Sequence, residues 1–96
     1  MNLIFADFMK YEGGNLILTC LGTKRDLEAA NITLEIGMNL VFYEDDVDAE
    51  GNRDDLVVRG VVDYDEANGR WVAAINFDEI KNMSLLTDDE KSRLGL

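Results

Sequence analysis

The run Asp46-Val47-Asp48-Ala49-Glu50-Gly51 sets three carboxylates at alternate positions and a glycine directly behind them. Calcium takes several oxygen ligands, and loops that hold it supply them at alternate positions with a glycine at the sharp turn. By that chemistry Asp46, Asp48 and Glu50 are candidate calcium ligands, and calcium is the only cofactor the chain suggests. The pattern is incomplete. Val57 stands where the closing bidentate glutamate belongs, and Arg53 stands where an apolar residue belongs. Asp54 and Asp55 follow at the wrong spacing, and both flanks read as strands rather than helices. A solvated hairpin loop, whose charges also discourage edge-to-edge pairing, is the stronger expectation.

The same run belongs to a wider concentration of charge. The chain has 96 residues, with 20 Asp+Glu against 9 Lys+Arg, for a formal charge of −11. Residues 44–66 carry ten acids and two bases, or −8, which leaves −3 for the other 73 residues. Solubility alone requires only a modest net charge. A local excess steers a partner of opposite sign. Asp45, Asp46, Asp48, Glu50, Asp54 and Asp55 are therefore candidates for docking a basic protein partner.

Other chemistries find less support. There is no His, so the usual base, Ser-His and Cys-His pairs and imidazole metal ligands are all missing. The acid pairs Asp45/Asp46, Asp54/Asp55 and Asp88/Asp89 are adjacent in sequence. On a strand such neighbours point to opposite faces, which does not build a general acid–base pair. Cys20 sits among Leu16, Ile17, Leu18 and Leu21, as a small apolar side chain would. The expectation is a chain that is not an enzyme, with a small hydrolase-like activity as the last alternative. Bases are scattered, so no stripe exists for a nucleic-acid backbone. No apolar run reaches the roughly 18–20 residues of a membrane span. Met1 to Asp7 lacks the basic start of a secretory leader, so a cytoplasmic location is expected.

The elements that must carry these residues are short. Leu3–Tyr11 and Leu16–Leu21 flank Gly13-Gly14, a pair that accepts the positive φ of a type I′ hairpin turn. That pairing sets Tyr11 opposite Leu16 and Met9 opposite Leu18. Phe5, Met9, Leu16 and Leu18 then share one face, with Ile4, Ala6, Phe8, Ile17 and Leu21 on the other. Neither face is polar. Phe5, Met9 and Leu18 are therefore candidates for an apolar docking face, covered by the Leu-containing C-terminus or by a second copy in a homodimer.

Thr23 to Ala30 reads as one or two helical turns with Thr23 as N-cap, Asn31 as left-handed C′ residue and Ile32 as the contact after it. Ile32–Ile36 alternates like a strand, Gly37 bends the chain, and Asn39–Glu44 is a strand. Leu56–Tyr64 and Arg70–Phe77 pair through Asn68-Gly69, with Trp71, Tyr64 and Phe77 on the core face. Thr87-Asp88-Asp89-Glu90 is a capping box for a short C-terminal helix that Gly95 stops. Five or six strands with two brief helices predict one all-β domain over residues 1–96, a small β-barrel or roll with 84–96 as a helical tail. An SH3-like barrel is the first choice, an OB-like barrel the second, and a sheet with the C-terminal helix packed across it the third.

Overall fold

The most strongly alternating stretch of the sequence becomes the spine of the fold. The structure is a computed structural model that describes residues 3–96; Met1 and Asn2, the first two residues of the stretch assessed as a leader, lie outside the described residues. In chain order the elements are β1 (Leu3–Phe5), β2 (Tyr11–Glu12), β3 (Asn15–Ile17), α1 (Leu21–Ala29), β4 (Asn39–Glu44), β5 (Leu56–Asp65), β6 (Arg70–Ala74), β7 (Lys81–Asn82) and α2 (Asp88–Leu94). Single 3-10 turns cover Phe77–Glu79 and Met83–Leu85. The chain is mostly β-sheet. Among the described residues no helix is long and apolar enough to cross a membrane.

β5 holds the sheet together. Its second half pairs antiparallel with β6, Tyr64 facing Trp71 and Val62 facing Ala73. Residues 56–61 pair antiparallel with β4, and the first two residues also take β7. Between its halves stands Gly60. A Cβ there would lie 3.0 Å from Ile75 Cγ2, 3.0 Å from a Phe42 ring carbon and 3.2 Å from the Ala74 carbonyl oxygen. The missing side chain lets Phe42 and β6 close over the strand.

The sheet order is β1-β4-β5-β6-β3-β2, with β7 off that path. The sheet is open, so the closed barrel expected from the sequence is corrected. β1 and β2 form its two edges although only residues 6–10 separate them. A flat path of six strands spans about 24 Å at ~4.8 Å per step. Six extended residues from Phe5 to Tyr11 reach only about 20 Å, and a turn in which the Lys10 N–H donates to the Asp7 carbonyl at 2.9 Å shortens that reach. The sheet must therefore curl.

That curl corrects the face assignment of the first hairpin. Tyr11 does face Leu16, across a turn with φ of 58° at Gly13 and 87° at Gly14. The ladder ends where the Ile17 N–H donates to the Lys10 carbonyl at 2.9 Å. Beyond it the chain turns at Asp7–Lys10, so Met9 does not pair with Leu18. β1 instead runs parallel to β4, Ile4 beside Phe42. Ile4, Ala6, Phe8, Leu16 and Leu18 all enter one core with Phe42, Val58, Val62 and Ala73. Full burial of side chains such as Phe42 or Leu16 contributes about 1.5–3 kcal/mol each.

A second, smaller cluster lies apart from that core. Val41, Val57 and Leu86 are its buried members, with Leu3, Tyr43, Met83 and Leu94 packed against them. The C-terminal segment therefore docks through Leu86 and Leu94. α2 has its complete capping box, and Gly95 ends it at φ 76°.

Three further expectations are corrected. Ile32–Ile36 joins no strand, and its alternation in burial stops at Leu34, since Ile36 is 69% exposed. The helix near residue 23 begins at Leu21, and its N-cap is Cys20, which makes no side-chain cap bond. Its C-terminus follows the expected closure: Asn31 sits at φ 57°, and the Asn31 and Ile32 N–H groups donate to the Glu28 and Leu27 carbonyls at 3.0 and 2.9 Å. Phe77 leaves the sheet, is 51% exposed, and tilts against Tyr11 at 5.0 Å between ring centroids. Trp71 stays half-buried against the main core, edge-on to Tyr64.

Candidate functional site

The loop between β4 and β5 is a small hairpin of its own. Val47 bridges Arg53, the Asp48 N–H donates to the Asn52 carbonyl at 2.8 Å, and the Asp54 N–H donates to the Asp46 carbonyl at 2.8 Å. Charge is used to build it. Asp48 Oδ1 accepts the N–H groups of Glu50 and Asn52, both at 2.9 Å, a local bond typical of Asp in turns. Arg53 is clamped between Asp55 at 3.0 Å and Asp45 at 3.1 Å. The hydrogen bond from its guanidinium to Asp55 is the main reason its pKa is pushed further up.

The hairpin is also tied down from a distance. Asn82 Nδ2 donates to Asp46 Oδ2 at 2.9 Å and to the Asp54 carbonyl at 2.8 Å. Ser84 donates its N–H and hydroxyl to the Asp54 carboxylate at 2.9 and 2.6 Å. These bonds span 28 to 36 residues, and no local pattern announces them. Arg53 was the readable signal, the lone base inside a run of acids.

The six acidic candidates therefore divide by what they do. Asp46 and Asp54 anchor the hairpin, Asp48 closes its turn, and Asp45 and Asp55 clamp Arg53. Glu50, at the tip, has no hydrogen-bonded side-chain partner among the described residues. Asp45, Asp48 and Glu50 are exposed; Asp46, Asp54 and Asp55 are half-buried. A shallow cleft of about 410 Å³ lies between Asp45, Asp46, Val47, Gly51 and Arg53. Asp46, Asp48 and Glu50 do not converge: among the described residues no three acidic or Cys side chains gather where they could hold a metal ion.

The excess charge of residues 44–66 is not one patch. Asp63 and Asp65 lie in the last three residues of β5 and Glu66 follows it, at the far end of the strand from Asp55. Ten residues of strand cover about 33 Å, less the bend at Gly60. At that far end Asp65 accepts from Asn68 Nδ2 at 2.8 Å and from Arg70 Nε at 3.2 Å. The Asn68 bond leads in holding its carboxyl below the usual range. A lowered pKa keeps Asp65 ionised and makes it a poor proton donor.

Phe5, Met9 and Leu18 are not brought together as a surface. Leu18 is 4% exposed, inside the core, whereas Met9 is 90% exposed. Phe5 is half-buried, edge-on to Tyr43 with ring centroids 5.8 Å apart.

One further groove, of about 330 Å³, lies between β5 and α2. Arg59, Lys81 and Arg93 line it against Asp78, Glu79 and Glu90, three cations and three carboxylates over a floor of Val57, Leu86 and Leu94. It carries no net charge to select a ligand.

The chain matches no protein family, no curated protein and no solved structure with which it was compared.

Proposed function

We propose that this chain is a non-catalytic protein-binding module on a curled, SH3-like β frame, and that the tip of the acidic hairpin docks a basic protein partner. The observation that supports this most is the order of the hairpin. Five of its six acids are held by their own bonds or by Asn82 and Ser84, and of these Asp45 and Asp48 stay exposed beside Glu50. Charges held in place lose little freedom on binding, so a fixed acidic tip is better suited to recognition than a floppy one. The lone thiol of Cys20, with no disulfide, suits a reducing compartment, and the proposal places the protein in the cytoplasm.

The test compares co-purification by the native chain and by an Asp45→Asn/Glu50→Lys variant at rising salt. Arg53 keeps Asp55 in that variant, so the hairpin stays built. Partner recovery should fall by about tenfold and should weaken with salt. Equal recovery by both chains overturns the assignment. Calorimetry with calcium up to about 10⁻³ M runs beside it; heat that disappears in an Asp46→Asn variant would assign the hairpin to a metal instead.

A further inference from the structure

β1 is an edge strand, yet its backbone is not left open. In a strand, alternate residues point their N–H and C=O groups to opposite sides. The Ala6 N–H donates to the Tyr43 carbonyl, toward β4, so the groups of Phe5 point outward. Helix α1 meets both. Thr23 Oγ1 donates to the Phe5 carbonyl at 2.6 Å, and Asp26 Oδ2 accepts the Phe5 N–H at 2.9 Å. Two side chains three residues apart, on one face of a helix, supply the donor and acceptor that a neighbouring strand would supply. Gly22 lets the helix come this close: a Cβ there would lie 2.7 Å from Phe5 Cδ1.

The helix that does this is weakly held. It has nine residues, no side-chain bond at its N-cap, no acid in its first turn and no base in its last. Only Thr23 and Leu27 are buried on it. Short helices depend on tertiary contact for their stability, and elements with few buried contacts open below the global unfolding free energy.

We propose that α1 is a removable guard, and that when it lifts, β1 pairs antiparallel with β1 of a second copy, Phe5 of each exchanging both backbone bonds with Phe5 of the other. A second copy is the fitting occupant because residues 2–6 carry no charged side chain in a chain of −11. Of the two edge strands, β2 carries Glu12 whereas β1 carries no charge, so like charge opposes pairing with another copy least at β1, and the segment is β-prone. The proposal does not depend on the acidic hairpin.

The test is a Thr23→Val/Asp26→Leu variant, which removes both bonds. Sedimentation over a roughly hundredfold range of concentration should show the native chain as a monomer and the variant rising to twice its mass. Hydrogen exchange on the dimer should show the Phe5 amide protected. A folded variant that stays monomeric overturns the proposal, as does a dimer in which the Phe5 amide exchanges freely. Should the variant fail to fold, exchange on the native chain decides. The Phe5 amide exchanging together with the amides of α1, about 100-fold ahead of Val58, supports the guard. Exchange of Phe5 only with the last-opening core overturns it.

Discussion

Helix α2 closes both of its ends with its own residues, whereas α1 leaves its start uncapped and gives its polar side chains to a strand. Thr87 and Glu90 bond each other's backbone, three acids fill the first turn, and Lys91 and Arg93 lie in the last. Yet no residue of α2 is fully buried. In α1 the residue that looks like an N-cap, Thr23, is buried and bonded to Phe5, and Leu27 is in the main core. One helix is specified by its neighbours in sequence and the other by its neighbours in space. The same residue type, Thr, serves a backbone N–H of its own helix in one and a foreign carbonyl in the other.

That contrast breaks most easily at the leucines of the two helices. Leu27→Ala should cost about 2–4 kcal/mol, because it opens a cavity in the main core. Leu94→Ala removes a half-exposed contact and should cost only about 1 kcal/mol. Urea midpoints at unchanged slope measure both, and equal losses would erase the distinction. The threonines give the next largest difference. Thr23→Val keeps the shape but leaves the Phe5 carbonyl unpaired, for about 1–3 kcal/mol. Thr87→Ala should cost about 1 kcal/mol and appear as faster amide exchange in α2 alone. A Thr87→Ala variant that loosened the whole sheet would contradict a purely local role.

The smallest effect is in pH, and the two helices should fail at opposite ends. Glu90 is held down to about 2 from its ordinary 4.5, first by the hydrogen bond from Lys81 at 2.7 Å and then by the Thr87 N–H. A carboxyl lowered by folding contributes stability above pH 4.5 that is lost as pH falls toward about 2. Tyr43 is the converse: burial first, then the Asp26 carboxylate of α1, raises its phenol above 10.0. The folded chain then holds a proton that the unfolded chain releases, so stability falls as pH rises past 10.0. Residue-resolved exchange should find α2 loosening in acid and the α1–β1 contact in alkali. A Lys81→Met variant should remove most of the acid response, and an unchanged response would assign it to other carboxylates.

Much of the fold was legible where the signal was local. The Gly13-Gly14 and Asn68-Gly69 turns, the strand from Asn39 to Glu44, the left-handed Asn31 and the capping box all stand where residue type puts them. What failed needed distant information. The alternation of Ile32–Ile36 places Ile32 and Leu34 inward but fails at the exposed Ile36, and it does not state whether a partner strand lies beside the backbone. Phe5, Met9 and Leu18 share a face only in a straight hairpin, and the turn at Asp7–Lys10 removes it. The acidic residues were found by composition, but their division was hidden, because ten residues of strand stand between Asp55 and Glu66. Asn82 and Ser84, which fix the hairpin, carry no mark of that role in the sequence.

The parallel pairing of β1 with β4 also sets a clock. Leu3 must wait for Val41, 38 residues later in the chain. At about 5–20 residues per second of synthesis, that wait lasts roughly 2–8 s. β3 waits longer, since Asn15 pairs with Ala74, 59 residues on. Residues 21–29 of α1 are made before residues 39–44 of β4, so Thr23 and Asp26, the partners of the Phe5 backbone in the finished fold, are in the chain while its sheet partner is still unmade. The residues that cover the uncharged segment are therefore made before the strand that the segment will join.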